Sequence, residues 1–367
     1  MPTVLALDAL LAPVPGGDPG GLNPNRVPAR AALDQARKKA VEDGHALPVT
    51  DSSRVKMWQA IQKDAQELLT TKTKSLEAAT RVTEAAARGH GFAGARDGFV
   101  LLRRLADEWW DQLWPRIDLS EADEEEDPAD RENRRRDLLA DALQARESQF
   151  NWLDDPDGGA RFPGTLRELA VVQVGGVAVG AADVTARAGA DAKVSLDEMR
   201  RMAATLGREK IRAALAEVTD AVTELDALRA ALEAKFAAAG GADLAPTFRD
   251  IRNALDDCLR VANDLDEMAG GDTPDAAAGG DAAAGSPDRP AGDAGAAAGA
   301  SRDALYRQLT QIAGHLARLE PHSPVPLLLL RVVELQTLPF PELVRQLNKE
   351  ERVLGFLERS LIAPPGE

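Results

Sequence analysis

The stretch that decides the fold runs from Gly89 to Pro115 and reads GHGFAGARDGFVLLRRLADEWWDQLWP. Three of the five tryptophans in the chain fall within six residues near its end. The apolar residues before them recur at helical spacing and would form one face: Phe92, Phe99, Leu101, Leu102 and Leu105. Because proline cannot easily continue a helix, Pro115 marks its end. We expect this helix to be the wall against which the N-terminal domain packs.

A glycine motif in the same stretch raises the question of a nucleotide site. Gly89, Gly91 and Gly94 satisfy the pattern G-x-G-x-x-G. That fingerprint requires a preceding strand, whereas residues 75–88 have a helical pattern. We therefore interpret Gly89 and Gly91 as a helix stop and a tight turn between two helices. An enzyme that holds a nucleotide at residues 89–94 is kept as an alternative.

Length and charge narrow the class of protein. A chain of 367 residues is too long for one ordinary core and predicts two or three domains. Its net charge of −16, without clustered lysine and arginine, argues against nucleic acid and anionic membranes as partners. A single cysteine, Cys258, excludes a disulfide framework and a thiolate metal cage.

The N-terminal residues MPTVLALDALLAPVPGG are apolar but lack a basic region, so they predict a short first helix and not a signal peptide. No apolar run approaches the roughly 20 residues that cross a bilayer. We therefore predict a soluble, cytoplasmic protein without direct membrane insertion.

The fold class predicted from these patterns is all-α, with an N-terminal helical domain over residues 1–160. Helices are predicted at residues 1–12, 28–43, about 75–88 and 138–152, and from a cap at Asp51 or Ser52 through Leu69. The acidic run at residues 118–132 lacks the central glycine of a calcium loop. It therefore predicts a solvated loop or a helix start.

Residues 161–195 have a different composition. The segment LAVVQVGGVAVG is rich in β-branched residues, and Gly175-Gly176 could form the turn of a small hairpin. A single hairpin cannot form a domain. We interpret this segment as a connector, in part extended.

Residues 196–269 are predicted to form a long antiparallel helical hairpin. Ser195 and Glu198 form a capping box before a helix over residues 196–239 that would span roughly 60 Å. Gly240-Gly241 ends it, and Pro246 opens the second helix. The first helix carries an apolar stripe of Ile211, Leu215, Val218, Val222, Leu225, Leu228 and Leu232. The stripe leaves open whether the hairpin packs on its own domain or on another copy.

The last two segments are a linker and a small helical unit. Residues 270–300 contain no large apolar side chain, which predicts a disordered Ala/Gly/Asp linker. Residues 301–367 carry more apolar helix surface than a unit of that size can bury internally, which predicts an oligomerisation domain.

Motifs for catalysis or cofactor binding are missing from the sequence. Four scattered histidines, His45, His90, His315 and His322, have no metal-ligand spacing. Cys258 sits on an apolar helix stripe and is predicted to be an inert small hydrophobe. We predict no catalytic residue, no cofactor and no metal, and hence a binding or scaffold protein.

Several N-terminal segments match motifs of one family. Its loop Pro-x-x-Gly-x-x-Pro-Cys-Gly is matched by Pro13, Gly16, Asp18, Pro19 and Gly21, with Gly20 where cysteine is usual. A tryptophan before a helix ending in Leu-Leu is matched by Trp58, Leu68 and Leu69. A Lys-Asp-Leu turn is matched in part by Lys74-Ser75-Leu76. The glycine turn and the Trp-Asp-x-x-x-Pro ending are matched by Gly89, Gly91, Trp110, Asp111 and Pro115.

The C-terminal segment EPHSPVPLLLLR, residues 320–331, looks like the Pro-His-Ser-Pro segment of one branch of the same family. Together the matches resemble the ImpA/TssA proteins of the bacterial type VI secretion system. The resemblance implies a cytoplasmic, non-enzymatic scaffold that forms rings and associates with baseplate, inner tube and contractile sheath. The residues assigned to oligomerisation are Glu320, Pro321, His322, Ser323, Pro324, Leu328, Arg331, Leu343, Leu347, Leu354 and Leu357.

The alternative to an oligomeric scaffold is a helical adaptor or regulatory protein. It would bind one partner through the hairpin at residues 196–269.

Overall fold

A computed structural model describes residues 3–44, 47–157, 159–184, 194–270, 310 and 313. The chain divides into two compact units, residues 1–277 and 278–367. The described residues are mainly helical and contain one small two-stranded sheet, which confirms the predicted all-α class. Most of the predicted linker at 270–300, nearly all of the C-terminal domain at 301–367, and every oligomerisation residue from Glu320 to Leu357 lie outside the described residues.

The first half of the described chain contains five helices: α1 Leu7–Leu11, α2 Pro28–Gly44, α3 Ser52–Thr71, α4 Leu76–Trp109 and α5 Pro128–Asp154. Short 3-10 turns lie at Pro24–Arg26, Trp110–Gln112 and Ser120–Glu124. The Asp51 side chain accepts from the backbone N–H groups of Ser53 and Arg54, which confirms the predicted cap of α3. The first helix was predicted at residues 1–12; in the structure it is shorter and covers Leu7–Leu11.

The second half begins with α6 Phe162–Glu168, the strands β1 Val172–Val174 and β2 Val177–Val179, and α7 Ala181–Val184. It continues with α8 Leu196–Leu206, α9 Arg208–Ala238, a 3-10 turn Ala242–Leu244 and α10 Arg249–Gly270. The strands pair antiparallel, with Val172 opposite Val179 and Val174 opposite Val177. The predicted hairpin turn at Gly175-Gly176 is confirmed, and both glycines have positive φ.

Helix α4 folds back on itself at Gly91, where φ is 66° and ψ is −146°, a combination available almost only to glycine. The two segments then pack side by side. Glycine is needed for this close approach, because a Cβ at Gly94 would overlap the carbonyl of Ala86. A Cβ at Gly98 would lie 2.6 Å from the Thr83 side chain. The predicted turn between two helices is therefore present, but Gly89 is still helical and does not stop the first one.

The α4 segment after Gly91 is the centre of the core. Its apolar face is at most 3% exposed at Phe92, Phe99, Leu101, Leu102 and Leu105. Helix α4 as a whole contacts α1, α3, α5, α6 and α9. The prediction that this stretch is the wall of the N-terminal core is confirmed.

The prediction of one long helix over residues 196–239 was wrong. Gly207 has φ 77° and ψ 155°, so the helix breaks there into α8 and α9. The 31 residues of α9 span about 46 Å at 1.5 Å per residue, shorter than the predicted length. The capping box of Ser195 and Glu198 at the start of α8 is present as predicted.

The helices α9 and α10 lie antiparallel, as predicted. Arg208 at the start of α9 pairs with Asp266 near the end of α10 at 3.1 Å, and Arg252 pairs with Asp226 at 2.6 Å. The second helix begins at Arg249 and not at Pro246, because Phe248 adopts a left-handed φ of 51°.

The apolar stripe of α9 packs against α4 and α10 of the same chain. Leu225, Leu228 and Leu232 are at most 1% exposed. Of the two arrangements left open by the sequence, the structure therefore adopts packing on its own unit. The stripe is not available to a second copy or to an adaptor's partner.

Residues 161–184, the main described part of the segment predicted as a connector at 161–195, pack into the core and are not extended between domains. Phe162–Glu168 is the helix α6, and its Phe162 and Leu166 are fully buried, with α6 packing against α10. One continuous core runs from Leu5 to Leu265. The boundaries predicted at residues 160 and 195 therefore fall inside one packed unit, because α6 and β2 contribute apolar side chains to a shared interior.

Candidate functional site

Part of the N-terminal family motif converges on one place, which we call the motif junction: residues 13–22, 72–76 and 109–116. Backbone hydrogen bonds join the three segments. The Lys74 N–H donates to the Gly20 carbonyl at 2.8 Å, and the Trp114 N–H donates to the Lys74 carbonyl at 2.8 Å. The Leu76 N–H donates to the Trp114 carbonyl at 2.8 Å. These hydrogen bonds thus hold together three loops that are far apart in sequence.

An ion pair closes the outer side of the motif junction. Arg116 donates to both carboxylate oxygens of Asp18, at 2.8 and 2.7 Å, and its guanidinium lies 4.6 Å from the centre of the Trp114 ring. The hydrogen bond from Arg116 lowers the pKa of Asp18, and the Gly20 N–H adds to the effect. Asp18 was predicted from the motif, whereas Arg116 follows the motif's last proline and was missed.

Two glycines permit the close approach of these segments. Gly21 has φ 74°, and a Cβ there would overlap the Lys72 carbonyl. A Cβ at Gly20 would lie 2.7 Å from the Arg116 guanidinium and 2.7 Å from the Gln112 carbonyl. Any larger residue at position 20 would therefore require Arg116 and the Gln112 backbone to move.

Lys74 lies beneath the junction with no exposed surface. Its ammonium donates to the carbonyls of Leu10 at 2.6 Å and Leu69 at 2.8 Å, at the C-terminal ends of α1 and α3. The ring of Trp109 lies 5.5 Å from the same nitrogen. Burial lowers the pKa of Lys74 to about 8. A lysine in the Lys-Ser-Leu turn thus fastens two helix ends together.

Arg146 of α5 supports the tryptophan end of the motif. It donates to the carbonyls of Trp110 at 2.8 Å, Leu113 at 3.0 Å and Pro115 at 2.8 Å. Its guanidinium lies 4.3 Å from the Trp110 ring, and burial lowers its pKa to about 10. No sequence signal identified Arg146, because its partners are backbone carbonyls more than 30 residues away.

Not all of the predicted motif residues make these contacts. Pro13 and Gly16 are exposed at the start of the junction, in the loop after α1. Trp58 is 1% exposed in α3, where the guanidinium of Arg88 lies 4.5 Å from its ring. Gly89 also faces α3. Trp110, Asp111 and Pro115 do belong to the junction, so the motif residues form two groups on the fold and not one site.

A cavity of about 340 Å³ lies beside the second group. We call it the arginine cavity, and its described charged lining consists of Arg54, Arg88, Arg161 and Glu168. It is bounded by the end of α2, the start of α3, α4 and the segment around α6. Sequence reasoning missed it, because its arginines are far apart in the chain and share no motif.

The alternative of a nucleotide at residues 89–94 lacks its structural context. The glycines follow the helical residues 76–88 and not a strand. Gly94 is closed off by the Ala86 carbonyl, so its backbone cannot approach a phosphate.

Within the described residues, no group of three or more histidine, cysteine or acidic side chains is placed to hold a metal ion. Cys258 is fully buried, and burial raises the pKa of its thiol to about 12. Nor does any helix in this part of the chain combine the length and apolarity needed to cross a membrane.

The chain is similar in sequence and in fold to known proteins. A family model described as ImpA, N-terminal, type VI secretion system matches residues 11–153. The chain is 30% identical over 296 residues to the type VI secretion system component TssA1 of Pseudomonas aeruginosa, covering 79% of this chain and 80% of the relative.

A solved structure is also similar to the chain: the N-terminal domain, including the conserved ImpA_N region, of the TssA component of the type VI secretion system from Burkholderia cenocepacia. The TM-score is 0.51 at 23% identity, covering 74% of this chain and 96% of the solved one. At that identity the likeness concerns the fold.

Proposed function

Because the chain belongs to the ImpA/TssA family of type VI secretion system components, we propose that it is a non-enzymatic scaffold of that machine. In this proposal it forms multimers through residues 301–367. The multimers associate with the baseplate, the tube and the contractile sheath during assembly in the cytoplasm. The observation that carries the proposal is the similarity to TssA1, which extends over 79% of the chain and beyond the N-terminal region.

The N-terminal unit supports a role in presenting surfaces and not in catalysis. Its motif residues fix loops to one another through backbone hydrogen bonds and the buried Lys74. The interior is filled by one apolar core that leaves the α9 stripe covered. Such a rigid body, repeated around a multimer, would strengthen weak contacts by avidity.

The test is the molar mass of two forms in solution. Light scattering of the full chain should give a multimer, whereas a form ending at residue 277, the limit of the first compact unit, should be monomeric. The reason is that the apolar surplus lies in residues 301–367 and the α9 stripe is buried. A monomeric full chain, or a multimeric shortened form, would count against the proposal.

A further inference from the structure

The arginine cavity differs from the rest of a strongly acidic protein. The chain carries a net charge of −16. Among the described residues that line the cavity, however, three are arginines and one, Glu168, is acidic. A concentration of positive charge in a concave place focuses the local field on anions.

The charges around the cavity are not balanced. Glu84, behind the cavity wall, is shared by two arginines: Arg88 lies 3.2 Å from it, and Arg37 donates to it at 3.0 Å. Glu168 pairs with Arg54 at 3.2 Å. These five residues and Arg161 give two carboxylates against four guanidinium groups, a surplus of two positive charges.

Arg161 supplies the unpaired charge. Its side chain is exposed and, within the described part of the chain, makes no hydrogen bond or ion pair. Its backbone is left-handed, with φ 48°, a conformation that residues with a side chain rarely adopt. In this conformation Arg161 immediately precedes α6 and lines the arginine cavity.

Arg54 and Arg88 are held in place by the fold. Arg54 donates to the Leu47 carbonyl at 2.8 Å, and Arg88 donates to the Ala160 carbonyl at 3.0 Å while stacking on Trp58. Both side chains are about 10% exposed. Guanidinium groups fixed in this way lose little freedom when an oxyanion binds, so the cavity is preorganised.

We propose that the arginine cavity binds a carboxylate side chain from an acidic segment of a partner protein. Arg161 makes the first contact, and the fixed Arg54 and Arg88 complete the site. The inference rests on the proposed function in one respect: the partner would be another component of the secretion machine.

The cavity suits a protein segment better than a free anion. At about 340 Å³ it exceeds the needs of a single phosphate, and its wall also includes the apolar side chains of Ala40, Val41 and Pro156. These would cover the methylene groups of a glutamate and its neighbours. The acidic surface elsewhere on the chain would repel the same segment, which directs it to this cavity.

The experiment measures fluorescence anisotropy of a fluorescein-labelled hexaglutamate peptide with the full chain at low and high salt. A hexaglutamine peptide is the uncharged control, and inorganic phosphate is added as a competitor. We expect the glutamate peptide alone to bind, more weakly at high salt. Replacing Arg161 by glutamine, Arg161→Gln, should weaken binding roughly tenfold, since a charge-assisted hydrogen bond is lost.

Two further variants separate the cavity from general charge. Arg200→Gln removes the same charge from α8, where the side chain is 65% exposed, and should leave binding nearly unchanged. Glu168→Gln should tighten binding severalfold, because it frees Arg54 and removes the competing carboxylate. Both positions are exposed at the surface, so the fold should tolerate them.

Three results would overturn the proposal. One is the absence of peptide binding, and another is equal weakening by Arg161→Gln and Arg200→Gln. The third is binding of phosphate without the peptide, which would make the cavity a free-anion site. Light scattering of the same variants distinguishes this failure from failure of the scaffold proposal, since multimer formation does not depend on the cavity.

Discussion

Lys74 is a titratable side chain buried inside the protein. It is 0% exposed, and its two hydrogen-bond acceptors, the carbonyls of Leu10 and Leu69, close the ends of α1 and α3. No carboxylate pairs with it among these contacts. A neutral amine retains two N–H donors and could keep both hydrogen bonds, so the fold needs the donors more than the charge.

The pH dependence of stability should report this burial. Lys74 has a pKa of about 8 in the folded chain against an ordinary value of 10.5. Between these values the unfolded chain binds more protons, so the free energy of unfolding should rise with pH by up to about 3 kcal/mol from this group. The penalty is full below pH 8 and absent above 10.5.

The measurement is urea unfolding of the natural chain and of Lys74→Met across that pH range. Since other groups titrate in both proteins, the quantity to follow is the difference in unfolding free energy between them. We expect the natural chain to gain on the variant as pH rises. A difference that is constant with pH would show that Lys74 is not desolvated.

Gly94 decides how closely the two segments of α4 can pack. A Cβ there would overlap the Ala86 carbonyl, which is backbone and cannot rotate away. We predict that Gly94→Ala lowers the free energy of unfolding by about 1–3 kcal/mol. Gly17→Ala is the matched control, since a Cβ at Gly17 meets nothing within 4 Å. Equal stability of the two variants in chemical denaturation would contradict this account.

Among the elements, α8 and α9 are separated by one glycine, Gly207, although their apolar spacing predicts a single helix. The apolar spacing runs through residues 196–239 without an obvious interruption, yet Gly207 turns the chain between α8 and α9. The break lets α8 pack against α10 while α9 packs against α4 and α10. The apolar stripe of α9, which left self-association open, is thereby buried against α4 and α10 of the same chain.

Shortening a side chain of that stripe should therefore destabilise the unit itself. Leu228 is 0% exposed, and Leu228→Ala should lower the free energy of unfolding by about 2–5 kcal/mol. Leu196→Ala serves as the control, because Leu196 is 62% exposed and should change stability little. A Leu228→Ala chain that kept its stability but lost its multimeric state would instead place the stripe at an interface.

At the scale of the molecule, one hydrophobic core includes segments that were predicted to belong to separate domains. It extends from Leu5 to Leu265 and includes α6 and the hairpin of β1 and β2. The composition of residues 270–300, by contrast, predicts chain that cannot bury apolar surface.

Limited proteolysis should distinguish the packed N-terminal unit from residues 270–300. An elastase, which cuts after small residues such as alanine, should cut first within residues 270–300 and leave a resistant N-terminal fragment. The buried alanines of α4, such as Ala85, Ala86 and Ala87, should stay protected because they are 0% exposed. First cuts inside the helices described within residues 3–184 or 194–270, seen by mass spectrometry, would contradict the prediction that these helices form one packed unit.

Local signals determined much of this protein from its sequence. Asp51 capped α3, Ser195 and Glu198 formed their capping box, and Gly175-Gly176 turned a hairpin, as predicted. The apolar face of the stretch from Gly89 to Pro115 identified the centre of the core. These features act within one or two turns of chain, so the residues that decide them are neighbours in sequence.

Only the tertiary structure decided what depends on distant neighbours. Phe162–Glu168 forms a helix that buries Phe162 against Phe99 of α4 and Leu166 beside Cys258 of α10. Lys74 and Arg146 donate hydrogen bonds to backbone carbonyls of other segments. The arginine cavity exists because α3, α4 and the segment around α6 meet. Burial and ion pairing are set by three-dimensional proximity, which no local pattern of residues encodes.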